Sequence, residues 1–244
     1  SLIIFAGIVA GLPSTISQLA FGFTLSQLPI YLGSIILILL VIWGVVIVTE
    51  AERPIPITYA KRVRGMKIYG GISTYLPLRL NQAGVIPIIF AMSILLFTQM
   101  IFSFLNSWLT NATLLSISGF VMKIISNQWF YNSTYFVLIF LFTYFYTAVT
   151  FDPAQISENL QKNGAFIPGV RPGFPTAEFV SKVVNRITMV GATFLAIVAL
   201  LPLLIQAATG ITAIAIGGTS VLIVVSVAID VVKKVDAQVS MREY

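Results

Sequence analysis

Six apolar runs constrain this chain of 244 residues more than any other feature, because each is long enough to cross a bilayer. They fall at 1–20, 30–49, 83–105, 135–151, 187–208 and 211–230. At roughly 1.5 Å of rise per residue, about 19 helical residues cover close to 30 Å of hydrocarbon. A barrel strand needs only about 10 alternating residues, so unbroken runs of this length predict helices. The first run is weakened by Pro13 and several Ser and Thr residues, whereas the second is clean. Only 9% of the residues are charged, against about 25% in an ordinary soluble domain. Such a chain cannot cover a water-facing surface. The expected fold is therefore an all-α polytopic membrane protein with six transmembrane helices.

Charge sets the orientation. If the six runs alternate in direction, the segments 50–82, 152–186 and 231–244 share one side, and 106–134 lies on the other. Of the 14 Lys and Arg residues only Lys123 then falls on the second side, and the positive-inside rule makes the first side cytoplasmic. All eight acidic residues share that side, so the assignment rests on Lys and Arg and not on net charge. Ser1 and Tyr244 are both expected to be cytoplasmic. The chain starts at Ser1, apolar from Leu2 onward, without the basic region and cleavage site of a signal peptide. It reads as a fragment that begins at the edge of a span.

Between the second and third runs lies a basic island, Arg53 to Leu80, which carries six of the 14 cations. Two strand-like halves, ITYAKRV and MKIYGGISTYLPL, flank Arg64-Gly65 and predict a β-hairpin-like loop with positive charge at its tip. An arm of this kind suits a large, negatively charged partner outside the bilayer. In 152–186, Asp152-Pro153 should cap a short amphipathic helix that Gly164 ends. IPGVRPGFP should then run extended, since three prolines and two glycines prevent a helix. Helix should resume from Thr176 and Phe179 into the fifth run.

The segment 106–134 holds Trp108, Trp129 and Tyr131, with Tyr135 at its edge, and these suit an interfacial aromatic belt. Its two N-x-T triplets, at Asn111 and Asn132, are of a kind that chance often supplies. Neither Cys nor His occurs, and there is no H-E-x-x-H, G-x-S-x-G or P-loop, which argues against a membrane enzyme. Glu50 and Asp230 mark the ends of spans, so no charge sits at mid-membrane, as the alternative of a secondary transporter of small solutes would require.

Four stretches carry a resemblance: IIFAGIVAGLP (Ile3 to Pro13), AGVIPIIFAMSILLF (Ala83 to Phe97), ENLQKNGAFIPGVRPG (Glu158 to Gly173) and GGTSVLIVVSVAID (Gly217 to Asp230). Together they are similar to the SecY family, the channel subunit of the bacterial protein translocon. The order matches membrane segments five to ten of a ten-helix, inverted-repeat channel in the plasma membrane, with segments one to four outside this sequence. The resemblance implies a protein-conducting pore that passes unfolded secretory polypeptides and releases membrane segments sideways into lipid. It implies no cofactor, no metal and no catalytic residue.

Carried over position by position, the pore ring would comprise Ile4, Ile8, Ile89 and Ile223, whose branched aliphatic side chains wet poorly and so resist ions when idle. The lateral gate would involve Pro87, Ala91 and Ser93, with Pro87 loosening the third helix and Gly84, Ala91 and Ser93 permitting close approach. Gly217-Gly218 marks either a broken helix or close packing. Arg62, Arg64, Lys67 and Arg171 would dock the SecA ATPase or ribosomal RNA of the translating ribosome. After Gly65 the chain has Met66-Lys67 where some relatives carry two basic residues. Further implied partners are SecE, SecG, signal sequences, nascent polypeptides and membrane lipids.

Overall fold

The computed structural model describes residues 6–7, 9–11, 13–14, 16–17, 28–60, 62–64, 67–69, 73–108, 112–209 and 212–240. The described residues between 6 and 17 are helical. Seven further helices follow: α1 (Leu28–Glu50), α2 (Ile86–Trp108), α3 (Ala112–Ile125), α4 (Gln128–Thr150), α5 (Pro153–Lys162), α6 (Phe174–Thr209) and α7 (Thr212–Ser240). The strands are β1 (Glu52–Tyr59), β2 (Arg62–Arg64), β3 (Lys67–Tyr69), β4 (Ser73–Arg79) and β5 (Ala165–Phe166). Among the described residues, four stretches are long and apolar enough to cross a membrane: Tyr31–Glu50, Ile86–Trp108, Gln128–Lys162 and Phe174–Ala207. The chain is a mostly helical membrane protein.

It divides into two compact units. The first comprises 1–47, 84–142 and 193–244. Its core draws on Val41 and Val45 of α1, Ile88, Ala91 and Leu95 of α2, and Tyr135 and Ile139 of α4. Leu195, Ala196, Val198 and Ala199 of α6 and Ile223 and Val227 of α7 complete it. Spacings of three and four put these side chains on one face of each helix. The opposite faces stay apolar: Ile36, Leu40 and Trp43 of α1 are exposed, as are Phe97, Met100 and Phe104 of α2. A helix apolar all round is stable only where acyl chains or other helices cover it.

Several helix ends differ from the bounds of the apolar runs. Residues 83–85 precede α2, since Gly84 takes φ +63° and the Val85 carbonyl accepts from the amides of Ile88 (3.1 Å) and Ile89 (3.3 Å). Pro87 thus lies in the first turn of α2, where its missing N–H costs nothing, so it starts this helix and does not loosen it. Gly84 serves this turn, and a Cβ on it would meet nothing within 4 Å among the described residues. The segment 106–134 contains α3, tied to α2 by the Ser118 hydroxyl donating to Asn106 Oδ1. Within it Trp108 and Trp129 are exposed, but Tyr135 is buried in the core and stacks with Tyr131 at 6.2 Å, so Tyr135 does not belong to a lipid-facing belt. Helix α7 runs unbroken through Gly217 and Gly218.

The second unit comprises 48–83 and 143–192. Its sheet has the order β4-β1-β5. β1 and β4 are antiparallel from Glu52↔Arg79 to Thr58↔Ser73, and β2 and β3 from Arg62↔Tyr69 to Arg64↔Lys67. Both ladders share one register, symmetric about the Gly65–Met66 bond. β5 reaches only Thr58 and Tyr59, so Pro54 and Pro56 lie where β1 is an edge strand, the position that tolerates proline. Ile55 and Ile57 alternate inward. Ile55 and Leu78 pack with Ile167 and with Val180, Val183, Val184 and Ile187 of α6.

Candidate docking arms, pore ring and gate

Two polar arms belong to the second unit. In the first, the ladder is closed at its base by Arg79 Nε at 3.4 Å from Glu52 Oε1, on directly paired residues. The Leu80 amide donates to the Ala51 carbonyl at 2.9 Å. Helix α6 comes so close to this base that a Cβ on Gly191 would lie 2.5 Å from the Leu80 carbonyl oxygen. Only glycine fits there. Farther out, Arg62 and Arg64 lie on β2 and Lys67 on β3, near the apex, and their side chains are outside the described residues.

The second arm follows the sequence expectation closely. Asp152 is extended and caps α5, accepting from the amides of Ala154 (2.9 Å) and Gln155 (3.2 Å), with Pro153 as the first helical residue. Gly164 ends the helix with φ +67°, and its carbonyl accepts from the Ala60 amide at 2.9 Å, linking the two arms. Beyond β5, Ile167 is buried and the chain turns at Gly169 (φ +85°) and Gly173 (φ +96°). Helix α6 then starts at Phe174, before Thr176, because Pro175 fits its first turn. Arg171 is exposed and makes no ion pair among the described residues, whereas Lys162 pairs with Glu158 (2.7 Å) and Lys182 with Glu178 (2.8 Å).

The remaining candidates belong to the first unit. Ile4 and Ile8 lie outside the described residues. Ile223 is 6% exposed in the core, and half-buried Ile89 packs against the same cluster. Pro87 and Ala91 are fully buried. Ser93 is exposed, and its hydroxyl donates to the Ile89 carbonyl of its own helix at 2.7 Å. Phe90 stacks on Phe142 with ring centroids 5.9 Å apart, so α2 and α4 pack side by side. Among the described residues, no three acidic groups gather where they could hold a metal ion.

The family model for SecY matches residues 1–232. The chain belongs to the SecY family. It is 46% identical over 244 residues to the protein translocase subunit SecY of Thermotoga maritima, covering 100% of this chain and 54% of that relative. The Thermus thermophilus subunit is 44% identical over 248 residues, with 100% and 55% covered. The chain thus spans about half the length of the curated relatives it matches. A solved SecY structure superposes with a TM-score of 0.58 over 93% of this chain and 57% of that one; at 20% identity this likeness carries the fold. That structure is described by its plug domain, which stabilises the closed state of the translocation channel and maintains a membrane seal.

Motif reading in this SecY-family chain names Arg171 as a candidate but not the hydroxyls that hold the backbone around it. Ser157 and Thr176 are buried, and their hydroxyls donate to the carbonyls of Gly173 (2.7 Å) and Arg171 (2.8 Å). A Ser in an amphipathic helix gives no sign of a partner 16 residues along the chain, as Ser157 has in Gly173. Gly191 also gave little signal, since one glycine in a membrane helix reads as ordinary packing.

Proposed function

We propose that the chain is the carboxy-terminal part of a passive protein-conducting channel in the bacterial plasma membrane. The observation that carries this is the match over the full chain to subunits named for protein translocation. Six transmembrane helices, corresponding to segments five to ten of the family, place both polar arms and the carboxy-terminal tail in the cytoplasm. Ile4, Ile8, Ile89 and Ile223 contribute a waist that stays dry until a polypeptide is threaded through it. The burial of Ile223 in one apolar cluster, with half-buried Ile89 packed against it, supports this, because neither is turned wholly outward. Helices α2 and α4, with Pro87, Ala91 and Ser93, supply one face of a lateral gate.

Arg62, Arg64, Lys67 and Arg171 dock SecA or the ribosome, which provide the energy, and SecE and SecG brace the channel. No catalytic step is assigned to this chain. The test is translocation of a secretory precursor into proteoliposomes holding the full-length protein with SecE and SecG. Transport is expected only when SecA and ATP are present. Nucleotide turnover by the channel without SecA, or gradient-driven uptake of a small solute, would contradict the proposal.

A further inference from the structure

The frame beneath Arg171 is built from two sides. Ile167 is anchored in the core of the second unit, and the Val170 amide donates back to its carbonyl at 3.0 Å. With Pro168 and Gly169 (φ +85°) between them, this is the pattern of a type II turn. Gly173 makes the next reversal, and its carbonyl receives three donors: Ser157 Oγ at 2.7 Å and the amides of Thr176 and Ala177 at 3.0 and 3.2 Å. Thr176 Oγ1 donates to the Arg171 carbonyl at 2.8 Å. The carbonyls of Arg171 and Gly173, which flank Pro172, are therefore each fixed by a hydroxyl, one from the first turn of α6 and one from α5. Ser157 and Thr176 are 3% and 2% exposed, so water does not compete for these bonds.

Above this fixed backbone the exposed Arg171 guanidinium makes no ion pair among the described residues. The lysines on the adjoining helices, Lys162 and Lys182, are paired with Glu158 and Glu178. A dense phosphate backbone is best met by many cations, as on the first arm; one oriented planar fork suits a carboxylate, which it meets with two parallel hydrogen bonds.

We propose that Ser157 and Thr176 are positioning residues that preorganise Arg171 for a carboxylate on a protein partner, the SecA motor of the proposed function. This rests on the docking role given to Arg171. Ordering the backbone before the encounter lowers the entropy lost on binding, so the two hydroxyls act on affinity and not on turnover.

The experiment measures SecA-driven translocation by the full-length complex as a function of SecA concentration. Thr176→Val and Ser157→Ala are each expected to raise the half-saturating concentration about 5- to 10-fold, the scale of one lost buried hydrogen bond, at unchanged maximal rate. Thr176→Ser, which keeps the donor, restores the original value. Should Thr176→Val fail to assemble, Ser157→Ala removes the other hydroxyl and supplies the same readout. Unchanged half-saturation in the variants while Arg171→Glu still weakens SecA refutes the positioning role. A lowered maximal rate at unchanged half-saturation refutes it too. No effect of Arg171→Glu itself refutes the docking role instead. An equal loss of ribosome affinity in the variants overturns the carboxylate partner in favour of RNA phosphate.

Discussion

The two polar arms present positive charge in opposite ways. The first carries six cations in its sequence and pairs as two antiparallel ladders, held at the base, where Glu52 meets Arg79 and Gly191 lets α6 touch the chain. The second offers Arg171, which makes no ion pair among the described residues, on a short frame of glycine turns and buried hydroxyls, with Lys162 and Lys182 paired with glutamates. A ladder of cations gives long-range attraction that tolerates imprecise geometry. One guanidinium on a fixed backbone gives a short-range contact that depends on geometry. Number and placement of charge are thus separate means, and this chain contains both.

The sharpest way to break the comparison is Arg171→Glu. Reversing this charge is expected to lower SecA affinity by about 100-fold, within the range for losing a hydrogen-bonded charge pair, while membrane insertion is unchanged. A titration of SecA on membranes containing the full-length protein checks this. Next comes Gly191→Ala, whose methyl cannot fit 2.5 Å from the Leu80 carbonyl. Overpacking of this kind costs about 1–3 kcal/mol, so thermal unfolding in detergent should begin earlier, with the first arm more open to protease at its base.

Smaller effects belong to the ladder itself. Arg62→Ala, Arg64→Ala and Lys67→Ala should each weaken ribosome binding only a few-fold, and each should flatten the dependence of log affinity on log salt by roughly 0.7 to 0.9. A salt titration with the three variants decides whether the ladder acts by number. The smallest effect is at the Asp152 cap. Asp152→Ala should cost about 1 kcal/mol of helix stability, seen as faster amide exchange in the first turn of α5 with docking nearly intact.

Local chemistry made much of this legible in advance. Asp152-Pro153 and Gly164 bound α5 as expected, because caps and stops act within a turn of the chain. The sequence places the turn at Arg64-Gly65, whereas the paired residues of both ladders are symmetric about a point one residue later. What escaped is what depends on distant partners. Pro87 reads as a hinge until Gly84 is seen to start the helix just before it. The stretch Ala112–Ile125 is too short to span a bilayer, and its helix is held by Ser118 on Asn106. Gly191 and the Ser157 and Thr176 hydroxyls owe their roles to neighbours that only the folded chain supplies.

The central claim is a dry apolar waist, and the idle conductance of the channel tests it most directly. In planar bilayers holding the full-length complex without substrate, Ile223→Asn and Ile89→Asn should each raise the ion current well above that of the unaltered protein, while Ile223→Val leaves it near baseline. A properly assembled Asn variant as tight to ions as the parent would contradict the account.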